Sequence, residues 1–221
     1  MVVPTSLAAG YLRFRRRRYA RERQLYAELA EGQSPRLAVL ACADSRVDPA
    51  MIFDARPGEL FVLRNVANLV PDYEADGGFH STSAGLEYAV RHLAVDDIVV
   101  MGHAACGGID ACVHHFTDGA AAGRFIDPWV GLAGDAFRKV RERHPELAGH
   151  DLQHEVELES IRCSLKRLSA FPFVVDALED RRLRLHGAWF SIASGEMLWL
   201  DQDNGAFHAV TARALAKGHV A

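Results

Sequence analysis

The residues best equipped for chemistry fall in two short stretches. Cys42-Ala43-Asp44-Ser45-Arg46 closes the apolar run Leu37-Ala38-Val39-Leu40-Ala41, and His103-Ala104-Ala105-Cys106 follows a second run of that kind over residues 97–101. A His and a Cys at i, i+3 can reach one ion together, and two thiolates with one imidazole favour zinc over harder cations. Three such ligands leave a fourth position open. An open zinc brings the pKa of a bound water to roughly 7, the property of a hydrolytic or hydrating site. Asp44, two residues from a ligand, can coordinate the metal or accept a hydrogen bond from its hydroxide, and Arg46 can hold that carboxylate ionised through a bidentate pair. Each part has a plainer reading: Cys42 alone is a buried strand residue, and Asp44 with Arg46 is a structural ion pair. The joint pattern, with the flexible Gly107-Gly108 beside it, is what points to metal chemistry.

The elements that must position these residues follow from periodicity. Residues 6–31 read as an extended helix rich in Arg and Glu, stopped at Glu31-Gly32-Gln33-Ser34-Pro35. The strand ending at Cys42 precedes a Pro49-initiated helix through Phe53, a turn at Arg56-Pro57-Gly58-Glu59, and a short strand, Leu60-Phe61-Val62-Leu63. Asn65-Val66-Ala67-Asn68 reads as a polar loop, and residues 71–78 as another. Ser81 is expected to cap a helix carrying Leu86, Tyr88, Ala89, Val90 and Leu93. Beyond Cys106 the stripe Ile109, Cys112, Val113, Phe116 marks one helix face. Further helices over about 128–143 and 151–169 precede Phe171-Pro172-Phe173, the second burying Leu158, Ile161, Leu165 and Leu168. Strands over 183–190 and 197–200, joined by Ala193-Ser194-Gly195, form a hairpin.

Strands apolar on both faces that alternate with helices specify an α/β fold. The expectation is a mostly parallel central sheet of about four strands plus an antiparallel edge strand, flanked by helices, with the extended N-terminal helix. Sites in such sheets form at the carboxyl ends of the strands, where both motifs lie. The whole chain, 1–221, reads as a single domain, with a helical arm over 1–31 and the zinc-site core over 32–200.

Composition narrows the classes. Twenty-five Lys+Arg against 29 Asp+Glu, a net charge of -4, imply no general attraction to nucleic acid or anionic membrane. Arg15 to Arg18 are a local exception, read as a solvated helix face that pairs with acidic groups of a partner subunit. No apolar run is long enough to span a bilayer and the N-terminus lacks signal-peptide order, so a cytoplasmic protein is expected. Four cysteines in a chain with a large core suit metal ligation or packing better than disulfides.

Competing chemistries fail on spacing. A cysteine-phosphatase loop needs Arg six residues beyond its nucleophile, where Cys42 has Asp48 and Cys106 has Cys112. A dinucleotide fingerprint needs glycines that residues 42–47 lack. Cys112, His114 and His115 could form a second metal site, but Cys112 lies on the apolar stripe, so it reads as core and the histidines as helix surface. Cys163 has no functional reading.

Cys42-Ala-Asp-Ser-Arg46 together with Gly102-His-Ala-Ala-Cys106-Gly-Gly resembles the β-class carbonic anhydrases. The similarity extends through Gly32-Gln33-Ser34-Pro35, Pro57-Gly58-Glu59-Leu60-Phe61-Val62, Arg64-Asn65-Val66-Ala67-Asn68 and Leu86-Glu87-Tyr88-Ala89-Val90, and more weakly into Phe171-Pro172-Phe173 and Leu185-His186-Gly187. The resemblance implies reversible hydration of carbon dioxide to bicarbonate and a proton by a zinc-bound hydroxide. One Zn2+ per subunit would be held by Cys42, His103 and Cys106. Asp44 would orient the hydroxide or, in a closed resting form, take the fourth site, with Arg46 drawing it away. Gln33 matches a bicarbonate-binding amide; Phe61, Val66 and Tyr88 match the apolar substrate lining, with Gly107 assigned to the same surface. The family's site lies at a dimer interface, which implies a homodimer or a tetramer built from two dimers. One subtype carries an inhibitory bicarbonate pocket with a Trp three residues before the first Cys ligand; this chain has Val39 there, so the non-allosteric subtype is expected although Arg64 is present. Two other readings stand beside this one: hydrolysis of carbon disulfide or carbonyl sulfide on the same scaffold, and a zinc-binding interaction module without catalysis.

Overall fold

The structure, a computed structural model, describes residues 3–76 and 78–212; Gly77 of the 71–78 loop and the ends of the 1–221 domain lie outside the described residues. Six strands make one sheet: β1 (Leu37–Cys42), β2 (Leu60–Asn65), β3 (Asp97–His103), β4 (Arg184–Phe190), β5 (Met197–Leu200) and β6 (Phe207–Ala209), in the order β2-β1-β3-β4-β5-β6. The first four in that order are parallel, and β5 and β6 continue antiparallel. β3 is buried from end to end and β1 everywhere but Leu37, which is why both read as unbroken apolar runs rather than alternating ones.

The helices, in chain order, are α1 (Thr5–Phe14), α2 (Arg23–Glu31), α3 (Pro49–Ile52), α4 (Ser81–Glu87), α5 (Gly107–Asp118), α6 (Ile126–Val130), α7 (Gly134–Arg143), α8 (Gly149–Leu168) and α9 (Pro172–Glu179). The longest, α8, lies against β3 and β4. Gly102 and Gly187 make room for it: a Cβ at either would sit 2.8 or 2.9 Å from the side chain of Ile161. Leu158, Ile161, Leu165 and Leu168 join Ile98, Val100 and Leu40 in the main core, as the helical stripe predicts. At the opposite edge of the sheet from the motifs, Asp97 accepts two bonds from Arg184 (2.7 and 2.8 Å) and meets His186 Nε2 at 2.8 Å, tying β3 to β4.

The structure departs from the sequence reading in a few places, each with a local cause. The N-terminal arm is interrupted by a π turn at Arg15–Tyr19, and no residue of α1, that turn or α2 is buried. Ser81 is the first residue of α4 rather than its cap; His80 occupies the cap position without a side-chain capping bond. Asn65-Val66-Ala67-Asn68 is not an exposed polar loop: Ala67 and Asn68 are buried in a tight turn, and Asn65 spends its amide on Leu69. Phe171-Pro172-Phe173 opens α9, with Pro172 at the first helical position, where its fixed φ suits the helix and no N–H is lost. β6 is only three residues long, too short to leave a periodic pattern.

Candidate metal centre

The register of β1 and β3 brings the two motifs together. Ala41 pairs with Met101, so the next residues of each strand, Cys42 on one and Gly102-His103 on the other, emerge at the same carboxyl edge. Three residues on, Cys106 stands at the N-cap of α5, reached through Ala105 in the left-handed region at φ 52. The ligand atoms of Cys42, His103 and Cys106 all lie within 4.8 Å of one another, the two sulfurs 3.9 Å apart, and all three residues are buried.

The chemistry of this donor set fits a soft divalent cation. His103 Nδ1 lies 2.9 Å from the carbonyl of Ala104, which leaves Nε2 as the ligating nitrogen; that atom is buried without a hydrogen-bond partner. An unpaired buried imidazole nitrogen is costly unless a cation answers it. The two thiols are strongly coupled. Donation from Cys106 lowers the pKa of Cys42 well below the ordinary thiol value, and the same contact with Cys42 raises that of Cys106. The backbone N–H of Ala67 also points at Cys42 Sγ, at 3.3 Å, from the buried turn after β2. Ala67 holds φ 63 there, and Gly108 leaves it space: a Cβ on Gly108 would come within 2.8 Å of both Ala67 Cβ and Val66 Cγ1.

Asp44 and Arg46 form a bidentate pair beside the cluster. Arg46 Nε and its backbone N–H donate to Oδ1, both at 2.9 Å, and Nη2 donates to Oδ2 at 2.7 Å and to the carbonyl of Ala105 at 3.0 Å. These bonds from Arg46 hold the Asp44 carboxyl far below the usual carboxylate range. Arg64 grips the loop between ligand and pair from below: Nε donates to the carbonyl of Cys42 (2.8 Å), and Nη2 to those of Asp44 (2.6 Å) and Val47 (3.2 Å). Val39, where the inhibitory pocket would need Trp, is buried in the sheet.

The remaining predicted site residues divide between two places. Gly107 follows Cys106 directly, and Val66 adjoins the Ala67 turn. Phe61 pairs with Ala38, four residues before Cys42 and about 13 Å back along β1 at 3.3 Å per residue. Tyr88 stacks beside it at 5.8 Å, and Gln33 is exposed ahead of the strand. These three do not reach the metal cluster of their own subunit. Cys112 is core, as read, its thiol pushed up to about 12 by burial, and His114 lies exposed between Asp110 and Asp118. Cys163 is buried under Lys139, whose Nζ lies 3.4 Å from Sγ. Sequence reasoning missed Glu157 and Gln153 of α8, which bond the backbone of Cys106. The signal was there: Glu157 stands one turn before Ile161, on the stripe otherwise given to apolar residues.

A parallel α/β sheet carrying a two-cysteine, one-histidine cluster and an ionised carboxylate at its carboxyl edge defines a metal-dependent enzyme. The family model described as carbonic anhydrase matches residues 37–197. Beta carbonic anhydrase 3 of Arabidopsis thaliana is 35% identical over 197 residues, 87% of this chain and 75% of that protein. Among solved structures, the β-carbonic anhydrase CcaA matches with a TM-score of 0.84 at 32% identity, covering 94% of this chain and 92% of that one. A tetrameric β-carbonic anhydrase from Sordaria macrospora matches with a TM-score of 0.75 at 28% identity, over 92% of this chain and 94% of that one. The chain belongs to the β-carbonic anhydrase family, and with it to the carbonate dehydratases, lyases whose family and fold support hydration of carbon dioxide. Among the described residues no helix is long and apolar enough to cross a membrane.

Proposed function

We propose that the protein catalyses the reversible hydration of carbon dioxide to bicarbonate and a proton with one zinc ion per subunit, held by Cys42, His103 and Cys106. The observation that carries this reading is the buried, unpaired Nε2 of His103 facing two cysteine sulfurs within 4.8 Å. Zinc, when bound, supplies Lewis acidity that makes a water proton labile at about pH 7.

The protein's part is orientation. An ionised carboxylate offers about four lone-pair positions. Arg46 takes two on Oδ1 and one on Oδ2 of Asp44, leaving a position on Oδ2 to accept a hydrogen from the reacting water. Because Arg46 keeps Asp44 ionised, Asp44 is an acceptor and not an acid at neutral pH. Gly107, exposed next to Cys106, presents no side chain to obstruct an approaching small linear molecule, and Val66 would lie on its apolar flank. Gln33, Phe61 and Tyr88 then serve the site of a neighbouring subunit in a homodimer or a tetramer of two dimers. The wholly unburied N-terminal arm, with Leu7, Tyr11, Leu12 and Phe14 exposed, supports such an assembly. The Arg64 guanidinium, engaged by three carbonyls, supports the non-allosteric reading. A cytoplasmic location is part of the same proposal, supported by cysteines that form no disulfide among the described residues: Cys42 and Cys106 as ligands, Cys112 and Cys163 as buried thiols.

Stopped-flow hydration of carbon dioxide, with zinc measured on the same sample, tests the reading. Asp44→Asn should keep zinc and lose turnover by about a hundredfold or more, as loss of an orienting acceptor does. Hydration no faster than buffer in zinc-loaded wild type, or sulfide release from carbonyl sulfide in its place, would overturn the proposal.

A further inference from the structure

The three metal ligands are not held alike. Cys42 and His103 end strands and are fixed by the sheet ladder, whereas Cys106 belongs to no strand and follows Ala105, whose left-handed φ of 52 is disfavoured for any residue with a Cβ. Its backbone N–H is one of the donors that a helix start leaves without an internal partner. Two side chains of α8, one turn apart, answer both of its backbone groups. Glu157 Oε1 accepts the Cys106 N–H at 2.9 Å, and Gln153 Nε2 donates to the Cys106 carbonyl at 3.2 Å and to Glu157 Oε1 at 3.1 Å. The other oxygen, Oε2, accepts from Trp189 Nε1 at 3.0 Å, with His154 Nδ1 at 4.0 Å.

Glu157 is 3% exposed, and among the described residues no Lys or Arg pairs with it. A buried carboxylate held by neutral donors contributes little to a core that a leucine could fill at lower cost. Every group within 3.2 Å of it donates, so the geometry calls for a pure acceptor, and its acceptor faces the peptide of a ligand.

We propose that Glu157 and Gln153 are positioning residues that preset Cys106 for the metal and so govern how fast the site releases its ion. The proposal rests on the zinc reading above. Glu157→Gln is nearly isosteric, yet whichever way the amide turns, its NH2 faces a donor: Trp189 on one side, Cys106 and Gln153 on the other. Gln153 is only half-buried, so Gln153→Ala folds even if Glu157→Gln does not. Trp189→Phe removes the bond to Oε2 and alters the edge-on packing against His154 without touching the bonds to Cys106, and serves as the control for general loosening of this core.

The test compares wild type and the three variants, each zinc-loaded, by release of zinc to a chromophoric chelator and by melting temperature. The visible spectrum of each cobalt-substituted protein is recorded in parallel. Glu157→Gln and Gln153→Ala should release zinc about tenfold faster or more, the usual scale for loss of an outer support, and should alter the cobalt–thiolate bands. Trp189→Phe should lower the melting temperature while zinc release and cobalt bands stay close to wild type. Release from Gln153→Ala at the wild-type rate, or release from Trp189→Phe as fast as from Glu157→Gln, would overturn the proposal. Wild type that takes up neither zinc nor cobalt stoichiometrically would overturn the zinc reading itself, a result visible before any variant is compared.

Discussion

Replacing Arg64 by Met tests how the loop carrying Asp44 is held. The guanidinium donates to the carbonyls of Cys42, Asp44 and Val47 at 2.8, 2.6 and 3.2 Å, and a fourth contact reaches Asp48 Oδ2 at 3.5 Å. Methionine keeps most of the aliphatic stem, so packing changes little. A hydrogen bond from a charged donor is worth about 1.5–3 kcal/mol when fully buried. This side chain is 28% exposed, so water can serve part of what is lost, and about 1 kcal/mol for each of the three carbonyl bonds is the fairer figure. The sum, about 3 kcal/mol, corresponds to a fall of about 6–12 °C in melting temperature for a chain of this size. Calorimetry on the zinc-loaded variant measures it. Turnover should fall in the same sample while zinc content holds, because Asp44 loses its backbone anchor, whereas Cys42, which loses one bond to its carbonyl, is still held by its strand. A melting temperature within about a degree of wild type would refute the reasoning, since the carbonyls would then be equally well served by solvent. Sigmoidal bicarbonate dependence that Arg64→Ala abolishes would instead show the guanidinium reading an anion, against the non-allosteric expectation.

Two further predictions follow from geometry already described. Gly108→Ala puts a Cβ within 2.8 Å of Ala67 and Val66, which must push the Ala67 N–H off Cys42 Sγ; zinc affinity measured by chelator competition should fall, with secondary structure by circular dichroism unchanged. For Asp97, burial acts to raise the pKa, but Arg184 and His186 outweigh it and the folded value lies below the ordinary one. A depressed carboxyl stabilises the fold at pH above its unfolded value of about 3.9 and loses that contribution as pH falls through the folded value. Asp97→Asn should therefore be less stable than wild type by about 1–3 kcal/mol at pH 7 in denaturant titrations, the gap closing below pH 4. A gap that does not narrow at all as the pH is lowered from 4 would point to lost packing rather than lost charge.

The strands and the metal cluster were legible because they depend on local pattern: an apolar run with both faces buried, and ligands at its end. What the ladder adds is register, and register alone places His103 beside Cys42. One group of residues was hard to place for a common reason, which is that their polar atoms find partners inside the protein. Asn65 looks like loop composition, yet its amide closes a buried turn; the three carbonyls that Arg64 bonds leave no mark on the sequence pattern; and Glu157 acquires a role only once the fold sets Cys106 against it. Nor can sequence say how far apart two motifs lie along a strand, so Gln33, Phe61 and Tyr88 resemble parts of one site with Cys42 although β1 separates them.

That separation divides the site by origin. All three metal ligands, the Asp44–Arg46 pair and their supports come from one chain, so a lone subunit has what it needs to take up an ion as soon as it folds. On the proposed assembly, Phe61, Tyr88 and the Gln33 amide arrive only with a neighbour, while Val66 comes from the same chain. On the proposed function, metal loading and activation are distinct events, the first limited by zinc supply and the second by protein concentration. On that proposal a freshly made subunit is charged with metal long before it turns over carbon dioxide.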